Sequence, residues 1–203
     1  MELGDAIHRR RMCRDFTDEQ IAPELLDRLL DLARRVPSAG YSQGFSFFVL
    51  EGADTSRFWN RTLPVEEQTR FIWPGLLRAP VIVLPLAHAD TYMNRYSEPD
   101  KMKAGLGNSA ESWPIPYWYT DCAMAVQNLL LACTAEGLGA LYFGIFRNEP
   151  ELLRDLGIPV GHRPIGAVAL GWPTASAGAS RAEGSAATRA RRPIGEVVHR
   201  GRW

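Results

Sequence analysis

A chain of 203 residues with 46% hydrophobic and 23% charged side chains is long enough for one domain with a substantial core. Its 23 basic residues balance 23 acidic ones, so no net field is matched to nucleic acid or to a membrane surface. The basic residues cluster at Arg9 to Arg14 and at Arg189 to Arg202, a distribution that suits a small localised anion better than a polyanion.

Glu2 to Arg11 reads as a first helix. Pro23 to Val36 is a second, with Leu25, Leu26, Leu29, Leu30, Ala33 and Val36 at helical spacing. Pro37-Ser38-Ala39-Gly40 ends it in a turn. Phe45 to Leu50 is rich in aromatic and branched side chains and predicts a strand, whereas Asp54 to Arg78 is mixed, helical with breaks at Pro64 and Pro74. Val81 to Leu84 predicts a buried strand. Ala87 to Pro116, with three prolines and two glycines, reads as a long loop, of the kind that forms lids or binding loops.

Tyr117 to Glu136 is apolar nearly all round and predicts a central helix capped by Gly137. Asp121, Gln127 and Asn128 interrupt it, which argues for burial in protein over a membrane span. Leu138 to Phe146 is extended. Asn148 is the expected cap of a short helix with Pro150 at its start, and Ile165 to Leu170 is a further strand. The expected organisation is a core over residues 1–172, a flexible connector over 173–188 rich in small polar residues, and an arm over 189–203. The arm's Ile194, Val197, Val198 and Trp203 predict docking, either on the chain's own body or on a partner subunit.

Three cysteines without CxxC spacing point away from disulfides and cysteine zinc sites. Met1-Glu2-Leu3-Gly4-Asp5 has no basic segment before an apolar run, so cytoplasmic residence is expected. His8, His88, His162 and His199 are scattered and read as surface or hydrogen-bonding residues, without a metal. Gly105-Leu106-Gly107-Asn108-Ser109-Ala110 spells a dinucleotide fingerprint but follows no strand. No phosphate-binding GxxxxGK[ST] and no GxSxG occurs.

The stretch Arg9-Arg10-Arg11-Met12-Cys13-Arg14 remains. Guanidinium groups at this density repel one another unless an anion lies among them, and their planar forks suit phosphate oxygens two at a time. The same residues would also serve as a solvated basic helix end, favoured at the negative pole of the helix dipole.

Arg10-Arg11-Met12-Cys13-Arg14-Asp15-Phe16 resembles the R-R-S-x-R-x-F opening of FMN-dependent nitroreductases. Pro37-Ser38-Ala39-Gly40-Tyr41-Ser42-Gln43 is similar to their P-S-x-x-N-x-Q turn. Gln127-Asn128-Leu129, Gly137-Leu138-Gly139, the Pro164 to Gly171 strand, Arg189-x-Arg191-x-Pro193 and Glu196-Val197-Val198 follow in the family's order, so the resemblance covers nearly the whole chain.

The resemblance implies an α+β fold, a mostly antiparallel sheet surrounded by helices, and an intertwined homodimer with FMN at its interface. It places Arg10, Arg11, Met12 and Arg14 from one side, and Arg189 and Arg191 from the arm, at the FMN phosphate and ribityl chain. Pro37, Ser38 and Ala39 would come from the other subunit to line the ring, Tyr41 and Gln43 of the same turn would also bind the cofactor, and Phe143, Gly144 and Ile145 would pass near its reactive edge. Trp113, Tyr117 and Tyr41 are candidates for the substrate wall, although Trp113 and its neighbours would serve equally as packing. The implied activity is hydride passage from NAD(P)H through flavin to a nitroaromatic, quinone or similar flat acceptor. Alternatives are a flavin dehydrogenase or reductase of secondary metabolism, including a deazaflavin-coupled one, and a non-catalytic flavin-sequestering protein. No acid, base or nucleophile is implied.

The departures are specific. Met12 stands where serine is usual. Tyr41 replaces asparagine, as in the subgroup that fragments FMN to dimethylbenzimidazole. That subgroup has an aspartate at the position of Met12 and a serine at that of Gly144, and this chain has neither. Phe71 to Ala79 lacks the lysine expected at the flavin N1–O2 edge, leaving Arg70, Arg78 or a backbone donor to replace it.

Overall fold

A computed structural model of the chain describes residues 1–177 and 189–203; positions 178–188 of the expected connector lie outside the described residues. β1 (Phe45–Glu51) and β2 (Val81–His88) pair antiparallel over their full length, from Phe45 opposite Ala87 to Glu51 opposite Val81. β3 (Gly139–Phe143), β4 (His162–Pro164) and β5 (Ala167–Gly171) complete an antiparallel sheet of order β1-β2-β5-β3, with β4 paired to the end of β2.

The continuous apolar character of β2 follows from its position, buried on both faces. Ile82, Leu84 and Leu86 point to a core with Phe16, Phe58 and Leu152, while Val81 and Val83 point to another with Leu29, Val126 and Leu129. α3 (Thr55–Thr62) and α7 (Glu149–Asp155) pair on the first side. α2 (Pro23–Ala33) and α6 (Tyr117–Ala135) pack together on the second, and α1 (Leu3–Arg9) lies against α6. The fold is α+β with the helices around the sheet, as expected.

Several boundaries differ from the sequence reading, and for stated reasons. β2 runs four residues past Leu84 despite Pro85. Pairing to β5 ends at Val83 and pairing to β4 begins at Leu86, so Pro85 falls in the gap where the ladder requires no N–H. The expected loop from Ala87 contains a helix, α5 (Ala89–Tyr96), with the short helix α4 (Val65–Gln68) earlier in the chain. The fully buried Tyr92 holds α5 to Trp113 and Trp118, ring against ring, and the later part of the segment folds back as Trp113 Nε1–H donates to the Leu106 carbonyl at 2.8 Å. Asn148 does precede α7, but it adopts a left-handed backbone and its side chain donates to the Arg61 carbonyl, so it does not cap the helix. Gly137 (φ +81) ends α6 as expected, with the Leu138 N–H donating to the Cys133 carbonyl.

No helix among the described residues is long and apolar enough to cross a membrane. The arm's apolar residues are exposed within one chain, Trp203 almost completely. His199 stacks on Trp203 at 3.9 Å, and Arg192 pairs with Glu196, so the arm's contacts are mostly with itself.

Candidate functional site

α1 ends at Arg10, whose extended backbone (φ −49, ψ 124) turns the chain to run along the sheet. Met12 bridges Ala140 of β3 in parallel, the Cys13 N–H donates to the Ala140 carbonyl at 2.9 Å, and the Thr17 N–H donates to the Trp172 carbonyl at 2.8 Å. Phe16, fully buried, anchors the stretch. This places Arg10, Arg11 and Met12 in the wall of an open cleft of about 770 Å³, whose other walls are Ile7, His8, Arg189 and Arg191. Arginines from both ends of the chain therefore face one space, with no carboxylate among the lining residues.

Arg10 Nη1 and Arg14 Nε are buried without a hydrogen-bond partner among the described residues, a state whose desolvation a bound anion would offset. Arg11 is arranged differently: it donates back to the His8 and Arg10 carbonyls at 2.6 and 2.9 Å, so its charge lies at the cleft while its Nη1 is engaged. Arg14 stacks 4.8 Å above the Trp73 ring.

Trp73 also lines an apolar pocket of about 380 Å³ with Phe58, Trp59, Phe71, Phe143 and Gly144. Trp59 and Phe143 lie parallel with centroids 5.7 Å apart, and Arg147 bonds Glu67 at 2.7 Å among the pocket's lining residues. Arg14 lines neither space itself, and meets the aromatic pocket only through the Trp73 ring on which it stacks.

The Pro37–Gln43 turn lines neither of these. It carries three left-handed residues, Gly40, Tyr41 and Gln43, with the Tyr41 ring 72% exposed. Trp113 is 7% exposed and packed among Tyr92, Tyr96, Tyr117 and Trp118, so within one chain it is a core residue and lines neither the cationic cleft nor the aromatic pocket; Tyr117 keeps a partly open ring at the start of α6.

Arg78, one candidate for the missing lysine, is committed elsewhere. Its Nε–H donates to the Phe16 carbonyl at 2.8 Å and its Nη2 to Asp15 Oδ1 at 2.6 Å. Arg70 borders a depression with Glu66 and Ile72 that shares Leu63, Glu67 and Phe71 with the aromatic pocket, which Arg70 itself does not line. Asp15 also accepts from Thr174 Oγ1 at 2.6 Å and Ser176 Oγ at 3.0 Å, which ties the first residues of the expected connector to the arginine stretch.

These partners, the Thr174 hydroxyl foremost, hold the Asp15 carboxyl below its ordinary range. A depressed carboxylate contributes stability that is present above its unfolded value near 3.8 and is lost as pH falls through the lower folded value. Asp15→Asn should therefore lower the thermal midpoint at neutral pH and flatten its decline below about pH 4, as read by thermal unfolding across a pH series.

Other chemistry finds little support here. Burial pushes the Cys122 and Cys133 thiols up to about 12, leaving no thiolate nucleophile there. No group of three or more metal-ligating side chains occurs among the described residues. The histidines are scattered in the sequence, but β2–β4 register sets His88 opposite His162, and their rings stack at 4.2 Å.

The sequence model of the nitroreductase family matches residues 7–172. The chain belongs to the nitroreductase family. It is accordingly an oxidoreductase. A relative from Archaeoglobus fulgidus, provisionally named NADH dehydrogenase/NAD(P)H nitroreductase, is 27% identical over 170 residues, which cover 82% of this chain and 83% of that protein. Among solved structures, a nitroreductase family protein from Streptococcus pneumoniae superposes with a TM-score of 0.75 at 18% identity, over 98% of this chain and all of that one. A provisionally named nitroreductase from Desulfovibrio desulfuricans, crystallised with FMN, gives 0.66 at 24% identity, over 98% and 95%. These structures share the nitroreductase fold with this chain.

Proposed function

We propose that this nitroreductase family member is an FMN-dependent oxidoreductase that takes hydride from NAD(P)H and passes it to a nitroaromatic, quinone or similar flat acceptor. The observation that carries this reading is a charge-and-shape match. Arg10, Arg11, Arg189 and Arg191 border a cleft without a carboxylate, and Arg14, on the same stretch as Arg10, stacks on Trp73 of an aromatic pocket. A doubly charged phosphate on a planar, largely apolar ring fits both halves, and the unpartnered Arg10 Nη1 and Arg14 Nε supply donors for it.

Arg10, Arg14, Arg189 and Arg191 would hold the phosphate and ribityl end, with Met12 giving a thioether where a hydroxyl is usual. Phe143 and Gly144 would pass backbone groups along the ring edge. When bound, FMN supplies the hydride-accepting N5 centre. The protein's share is to bind, orient and shield it, and no side-chain acid, base or nucleophile is assigned to the reaction.

The Pro37–Gln43 turn lies outside the cleft of its own chain, so a second copy would deliver it. The apolar residues left exposed on α1, α2 and α6, Leu3, Ile7, Leu32 and Met124, together with those of the arm, suit the burial that such a homodimer requires.

The test is an anaerobic titration of the FMN-loaded protein. The visible absorbance of the oxidised flavin should bleach with NADH or NADPH and return on adding a quinone or nitroaromatic. Failure to bleach with either nicotinamide would overturn the reading; tight FMN binding without any reduction would identify a sequestering protein instead.

A further inference from the structure

Asp121 is a carboxylate on a nearly all-apolar helix and is 3% exposed, yet it has no ion-pair partner among the described residues. Burial of an unpaired charge is costly unless donors surround it. Here they do. The Ala39 N–H donates to Oδ2 at 2.9 Å and the Tyr92 hydroxyl to the same oxygen at 2.8 Å, while the Thr120 hydroxyl, 3.3 Å from Oδ1, shares its one proton with the Tyr117 carbonyl at 3.0 Å. Tyr92, fully buried, has its hydroxyl pushed above its ordinary range by burial and by this carboxylate, and so remains a donor.

The same turn is gripped from the other side by a cation. Arg95 Nε–H donates to the Gly40 carbonyl at 2.9 Å, while its remaining nitrogens are neutralised by Glu98 and Asp100. Within the turn, the Gln43 N–H donates to Ser38 Oγ at 2.9 Å and Ser42 Oγ donates to the Ala39 carbonyl at 2.6 Å. Gly40 has no room for a side chain, since a Cβ there would stand 2.6 Å from the Tyr96 ring. Between these clamps Tyr41 adopts φ +58, a backbone that bulky residues rarely accept, and projects its ring into solvent.

We propose that Asp121 is a positioning residue that holds the Ser38–Gln43 turn in its left-handed shape through Ala39 and Tyr92, and thereby fixes the Tyr41 ring as the element that selects flat acceptors. This rests on the reading that the turn serves a flavin site. A strained aromatic held by a buried anion below and Arg95 above is preorganised: the conformation is set before any ligand arrives. It does not touch the reacting atoms, so it acts through the turn that carries Tyr41.

The test combines a flavin-independent readout with kinetics. In FMN-free protein, Asp121→Asn should accelerate amide hydrogen exchange at Ala39 to Gln43 at least about tenfold relative to α6. In FMN-loaded protein it should raise KM for a quinone about tenfold or more with little change in kcat, as Tyr41→Ala should. The double variant should be no worse than Tyr41→Ala, because the two residues form one device. Tyr92→Phe, which removes one donor and leaves the charge in place, should give an intermediate exchange rate and KM, and it keeps the idea testable if Asp121→Asn does not fold.

Unchanged exchange in the variants, or costs of Asp121→Asn and Tyr41→Ala that simply add, would overturn the proposal. Parent protein that takes up no FMN would remove the flavin reading and, with it, the acceptor-selecting role. The exchange result alone would then decide whether the clamp exists.

Discussion

Arg10→Glu and Arg191→Glu are each expected to abolish retention of FMN through purification, and Arg191→Glu, at an exposed position, should leave the thermal unfolding of the flavin-free protein within about 0.5 kcal/mol of the parent. Losing one charge-assisted contact to a phosphate costs on the order of 1.5–3 kcal/mol, or about 10- to 150-fold in affinity. Reversal adds repulsion to that loss. Both residues border the same cleft, so the two reversals should couple and not simply add. The affinity should also fall with added salt, because the cleft is open to solvent and its field is screened. Arg154→Glu, on the far helix α7 with Glu151 as its neighbour at 3.7 Å, should leave FMN binding unchanged. Fluorescence quenching of FMN by the flavin-free variants checks all three.

Phe16→Ala should be the most destabilising single change near the site, by about 3–5 kcal/mol. The ring is fully buried and lies flat against β3 and β5 because Gly139 and Gly171 leave it room; a Cβ at either would stand 3.1 or 3.0 Å from it. Its backbone N–H donates to the Gly75 carbonyl at 3.2 Å and its carbonyl accepts from Arg78. For a chain of this size, that loss corresponds to a fall of about 6–20 °C in the thermal midpoint. Because Phe16 moors the strand that presents Arg10 and Arg14, FMN affinity should fall with stability. Phe16→Leu, which keeps most of the volume, should recover much of both. Calorimetry and FMN titration on the two variants measure this.

The helices and strands that a single period describes were readable in the sequence. The leucine face of α2 and the continuous apolar run of β2 and α6 each state their burial directly. What escaped were features made by distant partners. α5 is short and half polar, and it is anchored by Tyr92 on Trp113, Trp118 and Asp121, by Tyr96 on Trp113 and by Arg95 on Gly40, all partners far from it in the chain. The extension of β2 through Pro85 depends on where two other strands begin and end.

The same division holds for the site. The arginine clusters at the two ends are visible in composition, and their convergence follows from the resemblance; the structure places them at one cleft. The engagement of Arg78 by Asp15 and Phe16, and the clamp of Asp121 on Ala39 across 82 positions, left no local signature. In the sequence Asp121 stands only as an interruption in an apolar run. A charged residue on the inward face of a central helix was the available signal, because such a group must find donors somewhere.

The convergence of cationic side chains from both ends of the polypeptide on a phosphate is measured most directly by comparing FMN with riboflavin, which carries the same ring without the phosphate. Titrated into flavin-free protein at low salt, FMN should bind at least about 100-fold more tightly, the equivalent of two lost charge-assisted contacts at roughly 1.4 kcal/mol per tenfold. Equal affinities for the two flavins would contradict the placement of Arg10, Arg14, Arg189 and Arg191 around the phosphate.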